Sequence, residues 1–194
     1  MYYPRELVSV SKLRKMQKIK LPSKIRITVH SRRFVRFSEK HIRFYMKYAF
    51  VVFKTLRKTP FQKFLRWMIR REKIEANRVK DIHVRVFPLR KKNGKGLAGK
   101  CSSSQGAIYI YPKRLEFCQK LLQDCEKKNV YSYIKNRAKA TLIHELLHLR
   151  YLDDEDKVRE LTKKYFRTFI KHQNIQDSET NGVLKILFKQ QKLD

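Results

Sequence analysis

The chain has 194 residues, 42% of them hydrophobic, and a formal net charge of +31 from 48 Lys and Arg against 17 Asp and Glu. That apolar fraction excludes wholesale disorder, and the length suits one medium domain or a small domain with extensions. The three cysteines, Cys101, Cys118 and Cys125, are too few for a disulfide framework and contain no CxxC pair, which fits a reducing, cytoplasmic setting.

The N-terminal twenty residues lack the uninterrupted apolar run of a signal peptide. The most apolar stretch, residues 44–53, spans ten residues and contains Lys47, whereas a bilayer span needs about 20, so no membrane span is expected. Residues 24–37 begin with Ile25, Ile27 and Val29 on one face and predict a half-buried strand. Ser38 can cap a helix running to about Lys58, where Pro60 breaks or restarts it. Residues 60–80 read as a second helix with Phe61, Phe64, Leu65, Met68 and Ile69 on one stripe and a cationic opposite face. Residues 81–89 alternate Ile82, Val84 and Val86 as a strand. Residues 90–106 hold four of the five glycines and read as a loop or long hairpin connection, and 107–112 form another strand stopped by Pro112. Three helical segments follow up to His172, the last with Asp153 as a natural N-cap and an acidic first turn suited to the helix dipole.

The charge is uneven, with 24 basic and four acidic residues in 1–80 against 24 and 13 in 81–194. A chain this basic binds polyanions at low salt, which makes nucleic acid a candidate partner through the basic surface. Solvated cationic faces without a partner are the plainer alternative.

The most informative stretch is His144-Glu145-Leu146-Leu147-His148. Histidines at i and i+4 project from one helical face and can meet one zinc ion, while the intervening glutamate can serve as general base. Ala138, Leu142, Leu146 and Leu149 give this helix an apolar stripe, so the motif sits on a core helix. A zinc site with an open position needs a third ligand. The metzincin pattern fails, because Tyr151 and Asp154 stand where its Gly and His belong, and His172 follows only after a long helix. The acidic cluster 153–156 is closer. Glu155 in the first turn aligns with Val158, Thr162, Tyr165 and Phe169; Asp154 also fits, and Glu160 is the next choice.

Residues 141–166 resemble the minimal gluzincin metallopeptidases, or minigluzincins, found as small soluble archaeal proteins. The resemblance covers roughly residues 80–172. It implies an α+β fold: a small zincin-like domain with a short mixed sheet, an HExxH helix and a following glutamate helix, joined here by N-terminal basic helices. The implied organisation is a basic N-terminal region 1–79 packed on the core, a metallopeptidase core 80–172 and a C-terminal tail 173–194. The resemblance implies Zn²⁺ as cofactor, His144, His148 and Glu155 as ligands, Glu145 as general base and a peptide or protein as substrate. Many gluzincins have an acidic residue four after the ligand glutamate, where this chain has Arg159. Several such proteins are latent, and the basic N-terminal region and residues 173–194 are the candidates for blocking the cleft. Zincins also run an edge strand beside the metal, to which an extended peptide adds as a further strand. Ala107, Ile108, Tyr109, Ile110 and Tyr111 are the expected edge. Tyr165 is conceivable as an oxyanion donor, although its apolar neighbours favour core packing.

Two other readings compete with the peptidase. One is a nucleic-acid-associated protease like the SprT or Spartan group, whose motif usually ends in a third histidine that is absent here at short spacing. The other is a non-catalytic basic nucleic-acid-binding protein with a structural zinc, with Phe44, Tyr45, Phe61 and Trp67 interspersed among its basic helices.

Overall fold

The structure, a computed structural model, describes residues 26–31, 37–75, 78–89, 94, 96–124 and 127–173. Of the candidate cleft-blocking segments, residues 1–25 of the basic N-terminal region and 174–194 of the tail lie outside the described residues, as does Cys125. Nine elements follow in chain order: β1 (Arg26–His30), α1 (Glu39–Leu56), α2 (Thr59–Arg71), β2 (Asp81–Arg85), β3 (Gly99–Ser102), β4 (Ala107–Ile110), α3 (Leu115–Asp124), α4 (Lys127–Tyr151) and α5 (Glu155–His172). The fold is α+β, with five helices and one small mixed sheet among the described residues.

The strands lie in the order β1-β2-β4-β3; β1, β2 and β4 are mutually parallel, and β3 runs antiparallel to β4. Period-two alternation decides which face is buried. Ile27, Ile82, Ile108 and Cys101 form one row across the sheet, and Val29, Val84, Ile110 and Gly99 the next. These rows face the helices, and most of their apolar members belong to or pack on the core.

Two expected elements end early. The second helix stops at Arg71 rather than continuing to residue 80, because Lys73 turns the chain at φ +50° and Glu72 is tied to Tyr151 and Tyr165. The strand from Asp81 ends at Arg85, although Val86 stays buried and donates its N–H to His30 O at 3.1 Å. Pro60 restarts the helical path within the first turn of α2.

The expected edge strand is a correction. Residues 107–110 are hydrogen-bonded on both sides, to β2 and to β3, so β4 is interior. Tyr111 lies just past it and donates its N–H to Ala98 O at 2.9 Å. Among the described residues the edge on that side is β3, inside the glycine-dense stretch expected as a loop. Its sequence, Gly-Lys-Cys-Ser, has no apolar alternation to announce a strand. β3 is templated by β4 through the turn 103–106, where Gly106 takes φ +57°.

α4 runs through the core. Leu142, Ile143, Leu146 and Leu147 are at most 1% exposed, so both flanks of the motif are buried. Each such side chain contributes roughly 1.5–3 kcal/mol of burial, which anchors this helix more firmly than its propensity does. The core also includes Tyr48, Val52, Phe53 and Met68 from α1 and α2, so it runs continuously across residue 79.

Candidate metal centre

Their i, i+4 spacing on α4 brings the rings of His144 and His148 to a centroid distance of 4.7 Å, with Nε2 atoms 3.1 Å apart. Each ring is held from behind through Nδ1. The Thr162 hydroxyl donates to Val158 O at 2.7 Å, which leaves its oxygen lone pair to accept from His144 Nδ1–H at 3.4 Å. His148 Nδ1–H donates to Leu152 O at 2.5 Å. With both Nδ1 atoms protonated, both Nε2 lone pairs point at the same small volume. Two lone pairs at 3.1 Å repel; a cation between them removes the repulsion.

Backbone geometry creates the second of these anchors. Leu152 lies at φ +49°, unusual for a branched residue, and its N–H donates to His148 O at 2.9 Å. The left-handed residue closes α4 and turns the carbonyl back under His148. It is 67% exposed, so burial does not explain a Leu here.

α5 begins three residues later. Its N-cap is Asp154, not the expected Asp153, and the Asp154 carboxylate accepts from Lys157 N at 3.0 Å. That cap makes Glu155 the first helical residue. Its Oε2 lies 3.2 Å from His148 Nε2, and its Oε1 lies 3.6 Å from His144 Nε2. Donors about 2.0–2.1 Å from a tetrahedral zinc stand roughly 3.3 Å apart, so separations of 3.1, 3.2 and 3.6 Å fit such an ion. His144, His148 and Glu155 together can hold a metal ion. Of the other acidic candidates, Asp154 spends its carboxylate on the cap, and Glu160 pairs with Lys157 at 3.6 Å on the surface. Arg159 donates from Nε to Glu155 Oε1 at 2.9 Å, one turn along α5, and so orients the carboxylate.

Glu145 is 7% exposed on the wall of a cleft of about 920 Å³ among the described residues, which also contains the three donor residues. β3 forms the facing wall. A β-carbon on Gly99 would come within 2.5 Å of Glu145 Oε1 and 2.6 Å of Thr141 Cγ2. Cys101 also lines the cleft; burial, then the Glu145 charge, push its thiol up to about 11. It remains a neutral thiol at neutral pH and is not one of the three clustered donors.

Tyr165 is 2% exposed and donates its hydroxyl proton to Glu72, behind α5, rather than lining the cleft. Tyr45 and Phe61 are core residues, and Phe44 is partly buried against the core. Trp67 is exposed, ringed by Lys63, Arg66, Arg70 and Arg71. Thr162, Leu152 and Gly99 were not foreseen in their roles at the site. Only Thr162 left a trace, as a hydroxyl within an otherwise apolar buried line. No helix among the described residues is long and apolar enough to cross a membrane.

Comparison with family models, curated proteins and solved structures yields no match to this chain.

Proposed function

We propose that the chain is a zinc-dependent metallopeptidase of gluzincin type, with His144, His148 and Glu155 as ligands and Glu145 as the proton-handling residue. One observation carries the reading: two imidazoles locked with their Nε2 lone pairs converging beside a carboxylate, next to a buried glutamate on a cleft wall. A bound zinc ion would supply Lewis-acid polarisation of a carbonyl and an acidified water. Glu145 takes up a proton from the attacking water and returns it to the leaving amine. The outer edge of β3 offers main-chain groups to an extended peptide, which takes over the role expected of β4. The zincin-like arrangement of sheet, motif helix and glutamate helix belongs to this proposal.

Metal analysis of the purified protein, with His144→Ala and Glu155→Ala as controls, tests the ligands. Wild type is expected to bind one zinc, and both variants much less. Hydrolysis of a peptide library by wild type and Glu145→Gln tests the chemistry. A zinc-loaded Glu145→Gln that retains full turnover would exclude the proposed base, and a wild type that binds no zinc would exclude the whole reading.

The cationic face of α2 favours a second reading, a peptidase that works at a polyanion. Lys63, Arg66, Arg70 and Arg71 surround the exposed Trp67, and the Arg71 guanidinium lies 5.4 Å from its ring centroid. Steeply salt-dependent DNA or RNA binding, weakened by Arg66→Ala with Arg70→Ala, would support it; salt-independent weak binding would not.

A further inference from the structure

Arg137 lies two turns before His144 on α4, about 10 Å along the helix axis. It is 7% exposed. Its Nη1 donates to Tyr111 O at 2.7 Å and to Tyr48 OH at 3.3 Å, both neutral acceptors. No carboxylate pairs with it among the described residues. A guanidinium does not shed its proton, so among the described residues this is a buried cation without a counter-charge, an arrangement that is costly unless an anion joins it.

Arg137 lines the metal cleft and also a second cavity of about 470 Å³. The two cavities meet at Gly96, Leu97, Lys113, Arg114 and Arg137. Beyond that junction the second cavity is lined largely by apolar side chains, among them Phe37, Tyr45, Leu89 and Phe117. Its one carboxylate is Glu116, which is mostly exposed and lies 3.7 Å from His41. The metal cleft is lined by six Lys and Arg residues against three acids, and two of those acids are Glu145 and Glu155.

We propose that this junction is a carboxylate subsite: Arg137, flanked by Lys113 and Arg114, receives a carboxylate of an extended peptide whose adjacent apolar side chain fills the second cavity. The inference rests on the reading of the cleft as a peptide-hydrolysing site. An extended chain advances about 3.3 Å per residue, so about 10 Å places the carboxylate some three residues from the bond held beside Glu145. The carboxylate comes either from the C-terminus of the peptide, making the enzyme a trimmer of short C-terminal fragments, or from an Asp or Glu side chain within it.

Three peptides of one alanine-rich sequence ending in Phe test this: the free acid, the C-terminal amide, and the amide with Glu at the penultimate position. KM and kcat are measured on zinc-loaded wild type, and Kd on zinc-loaded Glu145→Gln by fluorescence anisotropy. A carboxylate-bearing peptide is expected to bind about tenfold or more tightly than the neutral amide, with the difference in KM rather than kcat. Preference for the free acid alone assigns the terminal carboxylate, and preference for the Glu amide assigns the side chain. Equal Kd for all three, or binding of none, overturns the subsite. Hydrolysis by wild type reports separately on the peptidase reading, because the Kd comparison needs no turnover. Arg137 also ties Tyr111 to α1, so Arg137→Met can fail by unfolding. Lys113→Met with Arg114→Met therefore carries the second arm. Its carboxylate selectivity is expected to fall severalfold, and undiminished selectivity would overturn the assignment.

Discussion

Gly99 on the edge strand and Glu145 on the motif helix stand so close that a β-carbon on residue 99 would lie 2.5 Å from Glu145 Oε1. β3 can therefore lie against the HExxH helix only because residue 99 has no side chain. Gly99→Ala must push either β3 or the glutamate aside. Overpacking of this kind costs about 1–3 kcal/mol. A misplacement of about 1 Å at a catalytic group costs up to ~10²-fold in rate. The expected outcome is a modestly lower Tm, near-wild-type zinc content and peptide hydrolysis reduced about tenfold or more. Normal turnover in Gly99→Ala would show that Glu145 does not depend on this contact.

Thr162 bears on the proposed metal site through His144. Its hydroxyl gives its proton to Val158 O and keeps a lone pair for His144 Nδ1–H. Thr162→Val keeps the shape but removes the acceptor, freeing the ring to rotate or change tautomer. Groups that orient metal ligands in this way are worth about 10–100-fold in affinity, and the 3.4 Å separation argues for the lower end. Zinc competition against a chromophoric chelator should show roughly tenfold weaker binding for Thr162→Val and little change for Thr162→Ser. Equal affinities would assign the orientation of His144 to packing alone.

Residues whose roles are set within one helix were legible from sequence. The spacing of His144 and His148 and the burial of Leu142 and Leu146 follow from a 3.6-residue period. The alternation of Ile82 with Val84 likewise marked β2. Roles set between elements were not legible. Which acid of the 153–156 cluster faces the histidines depends on where α5 starts, since moving a helix start by one residue turns its face by about 100°. The shift of the cap from Asp153 to Asp154 is such a step, and it follows from the left-handed turn at Leu152. β3 was hidden because Gly99, Lys100, Cys101 and Ser102 carry no strand pattern of their own. Strand order was hidden for a related reason: β4 is interior through pairing with β2, a partner more than twenty residues away.

Glu72 joins three helices. It is the C-cap of α2, and its carboxylate accepts from Tyr151 OH at 2.5 Å and from Tyr165 OH. Burial pushes its pKa up, but the hydrogen bonds from the two tyrosines and nearby cations outweigh it and hold the pKa below the usual value. A lowered folded-state pKa contributes stability above the unfolded pKa of ~4.5, and that stability is lost as pH falls through the lower folded value. Glu72→Gln is expected to cost about 1 kcal/mol at neutral pH, a figure kept low by the partial exposure of the carboxylate. The difference in Tm between wild type and Glu72→Gln should shrink as pH falls below about 4. A constant difference across that range would place the effect in packing rather than in the charge.

The charge on Lys139, unlike that on Glu72, costs stability, although stability rises with pH in both cases. It lies on the motif helix, 9% exposed, with Nζ donating to Asn136 Oδ1 at 3.2 Å and lying 4.8 Å from the Phe169 ring centroid. Burial lowers its pKa from 10.5 to about 8, and the charges of Lys58 and Lys135 push the same way. The unfolded chain therefore binds more protons than the folded one between about pH 8 and 10.5, so stability rises with pH across that window. Below about pH 8 the full penalty applies, at most about 3 kcal/mol for a shift of this size. Methionine keeps an unbranched side chain against Phe169 without the charge. Lys139→Met is expected to be more stable than wild type by about 1–3 kcal/mol at pH 7, an advantage that fades by pH 10. Denaturant unfolding of both proteins at pH 7, 8.5 and 10 measures this directly. A Lys139→Met protein less stable than wild type at pH 7 would mean that the Asn136 and Phe169 contacts outweigh the cost of burying the charge.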